Sequence, residues 1–215
     1  MSTGPIQVDL AEPDPVVVEE AGRILRLGGL IAHPSDTIFG LAADPSHPGA
    51  IERLRRLKGR TADRPFILLI DGPARVEDLS EETPNYAIAW ISTIWPAPLT
   101  LVLKARPGTP GRAEDGSVAL RWPAQPLTLA LVGQVGGLLA STSANRAGEP
   151  PVADGAAAWR VFGTGPGGVD LILADSSATN VGPIPRLEST IIDCRVDHPR
   201  VIRVGAIGLD RLGLA

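Results

Sequence analysis

Apolar runs of strand length alternate with segments of helical period along this 215-residue chain, and that interleaving most restricts what it can fold into. "GLIAHP", "PFILLID", "LTLVLKA", "SVALRW", "GLLAST", "VDLILAD", "STIIDC" and "RVIRVG" read as strands. Between them lie helical stretches with start and stop signals. Asp14-Pro15 supplies an N-cap and a first-turn proline, Val17, Ala21, Ile24 and Leu25 share a face, and Gly28 ends the pattern. A second helix is expected from Pro48 to Lys58, with Ile51 and Leu54 inward and Gly59 at its end. Thr83-Pro84 opens another, carrying Ala87, Trp90, Ile91 and Ile94, and two more are expected over 126–135 and 153–162. The class is therefore α/β. Only "RVDHP" separates the last two strands, which predicts an antiparallel pair and a mixed parallel/antiparallel sheet with flanking helices. "LTLVLKA" alternates as a half-buried strand does, 106–116 and 175–188 read as loops, and no linker divides the chain, so a single domain over 1–215 is expected.

Bulk properties exclude several classes. A net charge of −4 gives no general attraction to nucleic acid or to an acidic membrane. The one cysteine, Cys194, has no internal disulfide partner, and the first ten residues carry neither a basic nor an apolar leader pattern. A cytoplasmic location follows as the expectation. Three histidines, His33, His47 and His198, and the cysteine lack metal-ligand spacing. There is no GxxxxGK[ST] loop, "GTGPGG" (163–168) lacks the following helix of a dinucleotide fingerprint, and no serine sits in a G-x-S-x-G elbow. Positioning and charge stabilisation remain.

Polar residues gather at four strand-to-loop junctions: "PSDT" (34–37), "SVALR" (117–121), "STSAN" (141–145) and "RLESTI" (186–191). Such junctions are where α/β proteins keep ligand sites, although any one set serves equally well as caps and turns. "ERLRRLKGRTADR" (52–64) holds six cations against two acids. Arg53, Arg55 and Arg56 suit a solvated helix face, whereas Lys58 and Arg60 flank Gly59 on the way into a strand and suit a polyphosphate. Arg121, set in "VALRWP", faces inward and needs an anionic partner.

"HPSDTIFGLAAD", "LKGRTADRPF", "WPAPLTLVL", "VALRWP", "STSANRAGEPP", "STIID" and "VIRVGAI" follow one another in that order. Over about 15–207 the chain resembles the threonylcarbamoyl-AMP synthases, the YrdC-like domain, in their short single-domain bacterial form. The resemblance implies a twisted mixed sheet around a large, positively lined cavity. The implied activity is synthesis of L-threonylcarbamoyl-AMP from L-threonine, bicarbonate and ATP with release of pyrophosphate, a magnesium ion accompanying the nucleotide. This is the first step of threonylcarbamoyladenosine formation at tRNA position 37, and a separate transferase complex is the implied downstream partner. The family's catalytic tetrad falls on Lys58, Arg60, Ser143 and Asn145. Thr37, Arg121, Ser141 and Ser189 correspond to threonine contacts, and Arg60, Arg64, Ser117, Ser143 and Arg203 to nucleotide contacts. No protein ligand for a metal is implied.

The sequence departs from the common pattern at Ser35 (usually threonine), Phe39 (tyrosine), Ala97 (glycine) and Leu69, where two-domain members often carry histidine. The alternatives are a carbamoyl-transfer paralogue, whose further domains 215 residues do not accommodate, and an RNA-binding module that holds RNA or tRNA backbone weakly in a basic concavity.

Overall fold

A computed structural model describes residues 4–59, 65–179 and 187–214. Among them the strands are β1 (Ile6–Val8), β2 (Leu30–His33), β3 (Gly40–Ala43), β4 (Ile67–Ile70), β5 (Ser80–Glu82), β6 (Leu99–Ala105), β7 (Ser117–Arg121), β8 (Leu138–Ser143), β9 (Leu171–Asp175), β10 (Thr190–Asp193) and β11 (Arg200–Arg203). The helices are α1 (Pro15–Arg26), α2 (Pro48–Lys58), α3 (Arg75–Leu79), α4 (Asn85–Thr93), α5 (Pro126–Gln134) and α6 (Gly155–Phe162). One sheet runs in the order β1-β9-β2-β3-β8-β4-β7-β6-β10-β11, with β5 beside β6. Parallel pairs (β1/β9, β2/β9, β4/β7, β6/β10) coexist with antiparallel ones, including the expected β10/β11 pair.

The helix signals act as their chemistry dictates. The Asp14 carboxylate accepts from the Val16 amide at 2.8 Å ahead of Pro15. Gly59 takes the left-handed conformation, φ 60°, and ends α2 one residue after Lys58. Leu54 on α2 is wholly buried, a contribution of roughly 1.5–3 kcal/mol. The sheet has an apolar core on each side. Leu54 of α2, Trp90 of α4 and Phe162 of α6 share one with Leu68 and Leu120. Leu25 of α1 and Leu131 of α5 share the other with Ile31, Leu69 and Leu139.

Three expectations change. In β6 every residue but Lys104 is buried, because β7 and β10 flank it and its alternation meets a covered sheet on both faces. Within α1, Val18 joins Ala21 and Leu25 as buried, while Val17 and Ile24 pack half-buried against the same core. The strands β1, β3 and β5 and helix α3 were not anticipated from the sequence.

Candidate active site

Strand register decides which side chains share a face. The pairings His33↔Gly40 and Gly40↔Ser143 align β2, β3 and β8. Ser141↔Ile67 and Ile67↔Ala119 carry the alignment into β4 and β7. Alternation then puts His33, Ser141, Ser143, Leu69, Ser117 and Arg121 on one face, the face that α1 and α5 cover elsewhere. Continuing these registers by two residues sets Ser143 and Ser117 either side of Pro65, about 10 Å apart at ordinary strand spacing. Arg121 lies four residues along β7 from Ser117, roughly 13 Å. Ser141 falls between the two ends. Arg121 of the inferred amino-acid subsite and Ser143 and Ser117 of the inferred nucleotide subsite thus lie at opposite ends of these strands.

At one end Lys58, 2% exposed, leaves the last turn of α2 and donates to the Ser143 carbonyl at 2.6 Å, to Ser143 Oγ at 3.3 Å and to Asn145 Oδ1. Ser143 Oγ gives its proton to the same Asn145 oxygen at 2.6 Å. The Asn145 amide donates to the Glu149 carbonyl at 2.6 Å and the Arg146 carbonyl at 3.1 Å, which holds the "STSAN" turn. Three of the four tetrad positions therefore form one cluster. Arg60 and Arg64 lie outside the described residues. Ser117 donates its hydroxyl to Asp115 at 2.6 Å, and Asp115 accepts from Arg195 at 2.6 Å. In this arrangement the Ser143 and Ser117 hydroxyls have given their protons to neighbours and present lone pairs.

At the other end the anionic partner required by Arg121 is Asp36. Arg121, 4% exposed, donates from Nη2 to Asp36 and from Nη1 to Thr37 Oγ1 at 3.1 Å, while its buried Nε has no partner among the described residues. Burial pulls the Arg121 pKa down, Asp36 opposes that, and the charge of Arg203 adds to it. Asp36 was missed as a site residue although it stands inside "PSDT", because a carboxylate 85 residues upstream of Arg121 leaves no local pairing signal. The hydroxyl of Ser35 closes the turn by donating to the Ile38 carbonyl at 2.7 Å. Leu69 is the β4 partner of Arg121, so the position where two-domain relatives often carry histidine abuts this arginine.

Ser189, 2% exposed, accepts from Thr100 Oγ1 at 2.9 Å and from Arg203 Nη2 at 3.3 Å. Register places Thr100 between Arg121 and Ile191, and Ile191 opposite Arg203. Arg203 therefore stands at the Arg121 end of the face, not beside Ser143 and Ser117, and its Nη1 pairs with Glu188 at 2.6 Å. The "RVGAI" segment explains itself here. A Cβ on Gly205 would collide with the Glu188 carbonyl oxygen and stand 2.6 Å from the Ser189 carbonyl carbon, so only glycine lets the chain after β11 pass against Ser189.

Burial pushes the Cys194 thiol up to about 12, with Asp193 adding to it, so Cys194 is no nucleophile at neutral pH. Among the described residues no group of three or more His, Cys, Asp or Glu converges as a metal site. No helix among them is long and apolar enough to cross a membrane.

The family model Sua5/YciO/YrdC, described as telomere recombination, matches residues 23–205. The threonylcarbamoyl-AMP synthase of Bacillus subtilis is 32% identical over 208 residues, which are 95% of this chain and 57% of that protein. The chain thus spans little more than half of that relative. The threonylcarbamoyl-AMP synthase of Nitrosococcus oceani is 36% identical over 168 residues, 77% of this chain and 89% of that protein. The crystal structure of Pyrococcus abyssi Sua5 complexed with L-threonine superposes with a TM-score of 0.83 at 30% identity, covering 96% of this chain and 59% of that one.

Proposed function

The chain belongs to the Sua5/YciO/YrdC family, and on that premise we propose that it is a cytoplasmic L-threonylcarbamoyladenylate synthase. It takes L-threonine, bicarbonate and ATP and releases pyrophosphate, supplying the first step of tRNA threonylcarbamoyladenosine formation. Synthases of that name match most of its length, and an L-threonine complex exists for a protein of the same fold. The observation that carries the reading is the polar sheet face with a buried arginine at one end and the Lys58–Ser143–Asn145 cluster at the other.

The chemistry needs no protein nucleophile. The threonine amine adds to bicarbonate with loss of water, giving a carbamate. A carbamate oxygen attacks the α-phosphorus, and pyrophosphate leaves with the electron pair of the broken P–O bond. Holding the reactants together supplies on the order of 7–11 kcal/mol. Arg121 binds the amino-acid carboxylate through its unpartnered Nε side, with Thr37 and Asp36 fixing the guanidinium. Ser141 and Ser189 complete that subsite. Lys58 and Arg60 offset charge as it moves to the departing phosphates. Ser143 and Ser117 exchange their Asn145 and Asp115 bonds for the nucleotide, Arg64 makes a further nucleotide contact, and Arg203 meets the nucleotide from the Arg121 end of the face. Magnesium accompanying the nucleotide would supply neutralisation of the phosphate charge. A downstream tRNA threonylcarbamoyl-transferase complex consumes the product.

The test is pyrophosphate release by purified protein given ATP, labelled bicarbonate and single amino acids. Release that requires threonine and bicarbonate together supports the reading. Release that ignores threonine, or consumption of carbamoyl phosphate alone, overturns it.

A further inference from the structure

His33 is wholly buried at the end of β2, on the same sheet face as Ser141 and Ser143. Its Nδ1 lies 3.0 Å from the Pro34 carbonyl, an acceptor, which fixes the proton on Nδ1 and leaves Nε2 as a lone pair. That Nε2 has no hydrogen-bond partner among the described residues. Burial is the main reason the imidazole pKa is pushed down to about 4, so the ring is neutral at physiological pH. The neighbouring strand residue is Gly40, and a Cβ built there would stand 3.2 Å from His33 Nε2 and 3.4 Å from Ser141 Oγ. The absent side chain lets His33 Nε2 and the Ser141 hydroxyl approach each other closely across Gly40.

A buried acceptor without a partner destabilises the ligand-free protein, a penalty that a ligand donor removes on binding. We propose that His33 Nε2 accepts a hydrogen bond from the side-chain hydroxyl of the amino-acid substrate and so selects a hydroxyl amino acid over its aliphatic isostere. This rests on the synthase reading above. Within that reading Arg121 draws the carboxylate and the amine must face the nucleotide to carry the carbamate. The hydroxyl is the donor that remains. A site built to hydrogen-bond a substrate hydroxyl rejects the analogue lacking it far more strongly than a pocket sized for a methyl group does.

The experiment measures kcat/KM for threonine and for valine, with ATP and 2′-deoxyATP, in wild type, His33→Phe and His33→Gln. Phenylalanine fills the volume without an acceptor, and glutamine returns an amide oxygen near the Nε2 position. Wild type should favour threonine over valine by at least about 100-fold. His33→Phe should lose most of that ratio through KM for threonine, keep its KM for ATP and show a melting temperature equal or higher. His33→Gln should recover part of the ratio. An unchanged threonine/valine ratio in a folded His33→Phe protein overturns the proposal. A shift in the ATP/2′-deoxyATP ratio instead assigns the lone pair to the ribose and also overturns it. Absence of threonine-dependent turnover in wild type would sink the synthase reading itself, a separate outcome. Threonine and valine thermal shifts without ATP read the same discrimination independently of catalysis.

Discussion

Asp36 uses both carboxylate oxygens to hold Arg121 in place, one on the guanidinium and the other on the Ala124 amide at 3.2 Å. Arg121 is therefore neither a free cation waiting for substrate nor a purely structural one. Its charge is balanced by Asp36, and its Nε has no partner among the described residues.

Asp36→Ala should leave a nearly buried guanidinium without an anion, which destabilises the ligand-free protein by roughly 3–5 kcal/mol. A substrate carboxylate would then replace the lost charge. Saturating threonine should raise the melting temperature of Asp36→Ala more than that of wild type. Equal threonine shifts in the two proteins would show that Arg121 does not meet the carboxylate.

Arg121→Lys keeps the charge and removes the planar fork. KM for threonine should rise at least about tenfold, with KM for ATP within twofold, as uniform binding loss at one subsite requires. Equal weakening of both substrates would reduce Arg121 to a structural role.

Gly205→Ala forces a methyl group against the Glu188 carbonyl oxygen and the Ser189 carbonyl. Both neighbours are main chain and cannot rotate away. The variant should lose about 1–3 kcal/mol of stability, the range typical of overpacking, and Ser189 should shift from Thr100 and Arg203. Chemical denaturation and threonine affinity measure the two effects. Wild-type values for both would mean that the β10–β11 connection absorbs the methyl group elsewhere.

Acid should act in two stages. His33 has a folded pKa of about 4 against an ordinary 6.5, so the unfolded chain takes up the proton first. The stability due to neutral His33 is complete above about pH 6.5 and declines as pH falls toward 4. The charged groups acting on the ring are Arg121, which lowers its pKa, and Asp36, which raises it. Asp193, hydrogen-bonded by Arg195 and Arg200, is held down to about 2 against 3.8. Its contribution is complete above about pH 4 and is lost between there and pH 2. His33→Phe should flatten the upper stage and Asp193→Asn the lower one. Urea midpoints between pH 7 and pH 2 would show it, and a profile insensitive to both substitutions would refute the assignment.

The sequence was most legible where local chemistry decides the outcome. Helix α2 ends at Lys58 because Gly59 can adopt a left-handed conformation, and both facts are written in "LKG". Strand β3 escaped notice because Gly40–Ala43 has no alternation and owes its place to neighbours on both sides. The tetrad residues could be named from their motifs, but the depth of Lys58 could not, since its burial depends on a turn 85 residues away. The same non-locality hid Asp36. The His33 lone pair was invisible for a different reason: a histidine reveals its role only when its partners are counted.

Lys58 provides the sharpest test of the nucleotide end. Its ammonium bridges the Ser143 carbonyl and Asn145 Oδ1 from the end of α2, so truncation to alanine removes charge and packing together. Lys58→Met keeps most of the buried stem and removes the charge alone, and comparison of the two separates the effects. If Lys58 stabilises the phosphates mainly as pyrophosphate departs, Lys58→Met should lower kcat by about 10²–10³, the scale of losing one charge-stabilising donor. KM for threonine should stay within threefold, because the Arg121 subsite lies at the other end of the strands. A lower kcat with an unchanged ATP KM indicates an interaction made in the transition state. Turnover by Lys58→Met within twofold of wild type would remove Lys58 from the chemistry and leave it as the strut between α2 and the Ser143–Asn145 turn.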